Sequence, residues 1–150
     1  METLRLDKLP TIALALVASV AAFVAAVSVN ALLGLLGGIA ECKELPAIGV
    51  LSEWYMVVVI GPALETLVLA ALVSLLRKVV GFWPVVSLTG LFWAILHGAS
   101  CFAWGVVLFI PFALDAAIFL IALKRHGGLV ALLFAFAVHA AYNALSLLAS

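Results

Sequence analysis

His139 and Asn143 stand four residues apart in an apolar run from Gly128 to Ser150, so a helix stacks them on one face, one turn apart. Two other apolar stretches each carry one polar side chain of the same kind, Glu65 and His97. A charge at mid-bilayer costs about 2.5–3.5 kcal/mol on insertion scales, and ionisable residues there mark functional sites by default. A carboxyl group in apolar surroundings can serve as a general base or acid near neutral pH. Two imidazoles and an amide can hold a water, a metal or the oxyanion of a tetrahedral intermediate. Together they suggest hydrolysis, with Glu65 taking a proton from water. The HExxH zinc arrangement is excluded, because no Glu follows His139 and the histidines fall in different segments. Each residue also has a packing interpretation: Glu65 bonding a neighbouring Thr or His, a neutral His donating to a carbonyl, Asn143 as interhelical glue.

These residues need a membrane fold to position them. The chain has 150 residues, 69% of them apolar and 9% charged, with no formal net charge and a mean hydropathy of +1.43. So few charges could not cover a soluble domain, so the expected class is all-α, a single polytopic membrane domain over 1–150. No Lys/Arg cluster exists to neutralise phosphates, which argues against nucleic acid as a partner. Residues 1–9 look like a short charged signal-peptide n-region, but the apolar run continues to Ala40. That is too long for an ordinary signal sequence, and a retained first helix is expected.

About five spans can be read. The first opens at Pro10 and runs to about Ala40; its Gly34-x-x-x-Gly38 pair allows close helix approach, for internal packing or for a homodimer. The second covers about Gly49 to Leu76, kinked at Gly61-Pro62 just before Glu65. The third runs from about Pro84 to Phe102 with Trp93 and His97, after a turn at Gly81–Pro84. The fourth covers about Trp104 to Leu123, holding Pro111 and Asp115, and a loop at 124–128 leads to the fifth. Lys and Arg divide six to one between the two sides, Lys43 being the exception. That puts the N-terminus in the cytoplasm and the C-terminus outside, with Trp54, Tyr55 and Trp104 at the outer interface and Trp83 at the inner. On this topology Glu65 lies roughly 18 Å above Arg77, His97 roughly 20 Å above Pro84 and His139 roughly 17 Å above Gly128. Three ionisable side chains share one depth. Asp115 lies only about 14 Å above Lys124, at the edge of that level, where it could bond Thr66 or a histidine or line a water entry. His126 and Glu53 are expected to be solvated. Cys42 and Cys101 both fall near the outer face, where a disulfide can form in an oxidising compartment.

At these residues the chain resembles the CPBP intramembrane proteases, which include the type II CAAX prenyl endopeptidases. That family carries EExxxR, FxxxH and HxxxN/D in membrane helices. Glu65 to Ala70 takes the first position, Trp93 to His97 the second and His139 to Asn143 the third, within a resemblance covering about 61–147. Thr66, Ala70 and Trp93 depart from the family pattern. Thr66 and Ala70 stand where the family carries what looks like a structural ion pair, and losing both members leaves no orphan buried charge. The resemblance implies peptide-bond hydrolysis at Glu65, His97, His139 and Asn143, on a membrane-embedded or lipidated peptide. It admits either Glu-activated water or a divalent metal such as zinc on His97, His139 and Glu65. Asp115, Thr66 and Trp93 are expected to support the site. The competing expectation is a non-catalytic membrane scaffold or regulator that keeps the polar cluster for packing. A transporter is disfavoured, because no matched half-repeats occur.

Overall fold

The computed structural model describes residues 10–35 and 54–149. Among the described residues there are five helices and no strand. They are α1 (Thr11–Leu35), α2 (Met56–Leu76), α3 (Phe82–Gly98), α4 (Phe102–His126) and α5 (Gly128–Ala149). α1, α2, α4 and α5 are each long and apolar enough to cross a membrane. α3 has 17 residues, about 25 Å of helix. Large apolar side chains such as Leu16, Val20, Leu64, Ile95 and Leu133 are exposed, as lipid-facing surface requires. The chain is an all-α, multi-pass membrane bundle.

The centre of the bundle is built where α2, α3, α4 and α5 meet. Leu69 and Val73 pack with Val85 and Trp93, with Phe112, Ala116 and Phe119, and with Ala131 and Ala135. α1 closes one side through small residues at helical spacing. Ala15 and Ala18 lie against Ile118 and Val138, and Ala22 and Ala26 against Tyr142. Without a hydrophobic force between helices in lipid, such close approach is what holds them together. Gly34 is exposed near the far end of α1, and Gly38 lies outside the described residues.

α3 and α4 form the tightest pair, antiparallel and joined by a short turn at Ala99–Cys101. A Cβ built on Gly105 would collide with the Ala94 carbonyl and come within 2.8 Å of Gly98 Cα. Only hydrogen fits there, and this fixes the end of α3 that carries His97.

Several boundaries differ from expectation. α3 begins at Phe82, so Trp83 is helical, and it ends at Gly98 rather than Phe102. Nor is there a loop at 124–128. α4 continues through Lys124, Arg125 and His126, and Gly127 alone, at φ 86°, turns the chain into α5. That left-handed conformation is cheap only for glycine, and basic side chains suit the negative end of a helix dipole. His126 is not merely solvated: its Nε2 lies 2.7 Å from the hydroxyl of Thr11, and Arg125 donates to the same hydroxyl at 3.3 Å. The start of α1 is thereby tied to the end of α4. Cys101 is disulfide-bonded; Cys42 and Glu53 lie outside the described residues.

α2 opens with a π-helical turn over Met56–Ile60, in which the Gly61 N–H reaches back to the Met56 carbonyl. The next bond in that register would run from residue 62 to the Val57 carbonyl, but Pro62 has no N–H to give. The side-chain amide of Asn143 donates to the Val57 carbonyl instead, at 2.8 Å. Proline thus makes an orphan acceptor and α5 satisfies it, as membrane interiors demand.

Candidate functional site

Glu65 stands one turn past Pro62 on α2 and faces both histidines. Its Oε2 lies 3.2 Å from Nε2 of His139 on α5, and its Oε1 lies 3.8 Å from Nε2 of His97 on α3. The other ring nitrogen of His139, Nδ1, lies 3.3 Å from Oδ2 of Asp115 on α4. Four helices therefore each contribute one ionisable side chain to a single cluster. Exposure is graded along it. Glu65 and His97 keep 27% and 26% of their side-chain surface accessible, whereas His139 and Asp115 keep 5% and 4%. The site is open at the Glu65–His97 end and closed at the Asp115 end.

Aromatic rings hold the imidazoles. Phe112 stacks on Trp93 with centroids 4.5 Å apart and on His97 at 5.6 Å, and presents an edge contact to His139 at 5.0 Å. Trp93 also lies 5.7 Å from His97. These rings have large, directional contact surfaces, so they restrict how either imidazole can turn. Phe112 carries no signal of its own among nine phenylalanines. It does precede Asp115 by three residues, which places the two on one face of α4.

Several buried polar atoms in and around the cluster have no hydrogen-bond partner among the described residues. They are Thr66 Oγ1, Trp93 Nε1, His97 Nε2, Asp115 Oδ1 and His139 Nδ1. The Asp115–His139 contact is thus at ion-pair distance but not aligned as a hydrogen bond. Leaving such atoms unmatched in a dry interior costs about 1–3 kcal/mol each, so each of them calls for a partner such as water. Of the partners expected for Asp115, Thr66 or a histidine, it is the histidine that lies beside it, while the buried Thr66 hydroxyl has no partner among the described residues.

The residues expected to act together are mostly gathered. Glu65, His97 and His139 meet, Asp115 and Trp93 touch the histidines, and Asn143 bonds the α2 backbone. Asn143 also borders a separate cavity of about 580 Å³ with Asn30, Trp104, Tyr142 and Ser146. As to a metal, Glu65 gives one oxygen to each histidine. Among the described residues no three His, Cys, Asp or Glu side chains converge so as to hold an ion.

No protein-family model, no curated protein and no solved structure matches the chain.

Proposed function

We propose that this protein is an intramembrane endopeptidase that hydrolyses a peptide bond with water activated by Glu65. The observation that carries the reading is the half-open carboxylate of Glu65 between two imidazole nitrogens at 3.2 and 3.8 Å, each ring on a different helix. A water beside Glu65 loses a proton to the carboxylate while its oxygen attacks the scissile carbonyl carbon. The carbonyl π pair moves onto oxygen. His97, whose Nε2 faces Glu65 at 3.8 Å without forming a hydrogen bond, is the donor available to that oxyanion. Collapse of the intermediate breaks the C–N bond, and the proton taken from water leaves with the amine. Asn143 acts from the frame, holding α5 to the opened turn of α2 and so fixing His139 one turn away. The substrate class is a membrane-embedded or lipidated peptide, since the accessible end of the cluster lies within an apolar bundle. The six-to-one division of Lys and Arg sets the N-terminus in the cytoplasm.

The test is incubation of the purified protein with membrane-tethered peptides, prenylated and unprenylated, with products read by mass spectrometry. The wild type cleaves and Glu65→Ala does not; equal cleavage by both removes the mechanism. One observation favours a second reading, that of a packing scaffold: the amide of Asn143 is spent on the α2 backbone. A scaffold loses thermal stability in Glu65→Gln and His139→Ala and cleaves nothing at any stage.

A further inference from the structure

Asp115 lies at the closed end of the cluster, buried, on the side of His139 away from Glu65. Neither the water-activating step nor oxyanion stabilisation uses it. A buried carboxyl is nevertheless expensive unless something compensates it, and Nδ1 of His139 lies within reach at 3.3 Å. Two of the unmatched buried atoms, His139 Nδ1 and Asp115 Oδ1, belong to this pair. A cavity of about 10 Å³ adjoins it, lined by Asp115, His139, Tyr142, Pro111 and Phe112. That is about the room one water needs, beside Oδ1, while Oδ2 faces the ring.

We infer that Asp115 is a positioning residue that fixes the ring of His139, holding a proton on Nδ1 and turning the Nε2 lone pair toward Glu65. The inference rests on the hydrolytic reading of Glu65 for its consequence, though not for its geometry. An imidazole has one acceptor nitrogen when neutral, and the partner of the other nitrogen decides which it is. With the proton on Nδ1, where a small turn of the ring aligns it on Asp115 Oδ2 at 3.3 Å, Nε2 accepts a hydrogen bond from Glu65 once that carboxylate has taken a proton from water. With the opposite tautomer, Nε2–H donates to Glu65 and the protonated carboxyl loses its acceptor. Phe112, in edge contact with His139, restrains the ring against turning over.

The test separates the two claims. Histidine labelled with ¹⁵N in the full chain, reconstituted in phosphatidylcholine bilayers, reports which ring nitrogen bears the proton. The chain has three histidines, and His139→Gln identifies the relevant signals. The wild type is expected to have a protonated Nδ1 and a bare Nε2, and Asp115→Leu to move the proton to Nε2. A bare Nδ1 in the wild type, or a pattern unchanged in Asp115→Leu, overturns the inference; the wild-type spectrum decides even where the leucine variant fails to fold. In the peptide-cleavage assay, Asp115→Asn is expected to lower kcat about 10²–10⁴-fold with KM within about twofold, the behaviour of an orienting carboxylate behind a histidine. Wild-type turnover by Asp115→Asn overturns the role in the reaction. Absence of cleavage by the wild type would end the hydrolytic reading and leave the spectrum to judge Asp115 alone.

Discussion

Phe112 touches more of the site than any charged residue does, since its ring meets Trp93, His97 and His139. Removing it should therefore act on both stability and geometry. Phe112→Ala is expected to cost about 3 kcal/mol, seen as a fall in unfolding temperature in detergent. Phe112→Leu should keep the fold but loosen both imidazoles, lowering cleavage roughly tenfold, because small misplacements of catalytic groups are costly. The division between what the sequence disclosed and what it did not runs along the same line. Glu65, His97 and His139 stand out because an ionisable side chain in an apolar run must have a reason to be there. Their common depth then follows from helix rise alone. Phe112 is invisible by that criterion, as an aromatic residue in a hydrophobic helix needs no reason. Asn143 was visible as a polar residue, but its partner is a backbone carbonyl whose orphaning depends on a π turn that no residue pattern announces.

At the scale of elements, the α2–α5 joint couples Pro62 to Asn143. Asn143→Ala should destabilise the fold by about 0.6–1.7 kcal/mol, the range for interhelical hydrogen bonds in membranes. In a Pro62→Ala background that loss should shrink toward zero, because an N–H at position 62 lets the α2 ladder recover the Val57 carbonyl. A double-mutant cycle read by thermal unfolding measures the coupling. If Asn143→Ala costs the same in both backgrounds, the amide is not serving that carbonyl. The α3–α4 hairpin gives a simpler expectation. Gly105→Leu forces the helices apart, because its Cβ would meet the Ala94 carbonyl and lie 2.8 Å from the Gly98 Cα, and should lower stability by about 1–3 kcal/mol. Helix existence was legible from apolar length, but the boundaries were less so. Lys124 to His126 look like a loop by charge, yet they continue α4 because cations suit its C-terminus and Thr11 receives His126 and Arg125.

Considered as a whole molecule, the bundle surrounds one graded polar line: accessible at Glu65 and His97, buried at Asp115. The tie between Thr11 and His126 brings the start of α1 and the end of α4 to one side, the side proposed to be cytoplasmic. In a background with Cys42 and Cys101 replaced by serine, Lys78→Cys should react with an impermeant maleimide from the cytoplasmic face and Ala149→Cys only from the other. Reaction of both from one face would contradict five crossings. The central claim is that Glu65 makes a nucleophile of water, and isotope transfer tests it most directly. Cleavage in H₂¹⁸O by the wild type should put one ¹⁸O into the new carboxyl group of the N-terminal product and none into the product that gains the amine. Glu65→Gln, folded and unfolding at a similar temperature, should yield no product. Wild-type turnover by Glu65→Gln, or product carboxyl free of solvent ¹⁸O, would contradict the account.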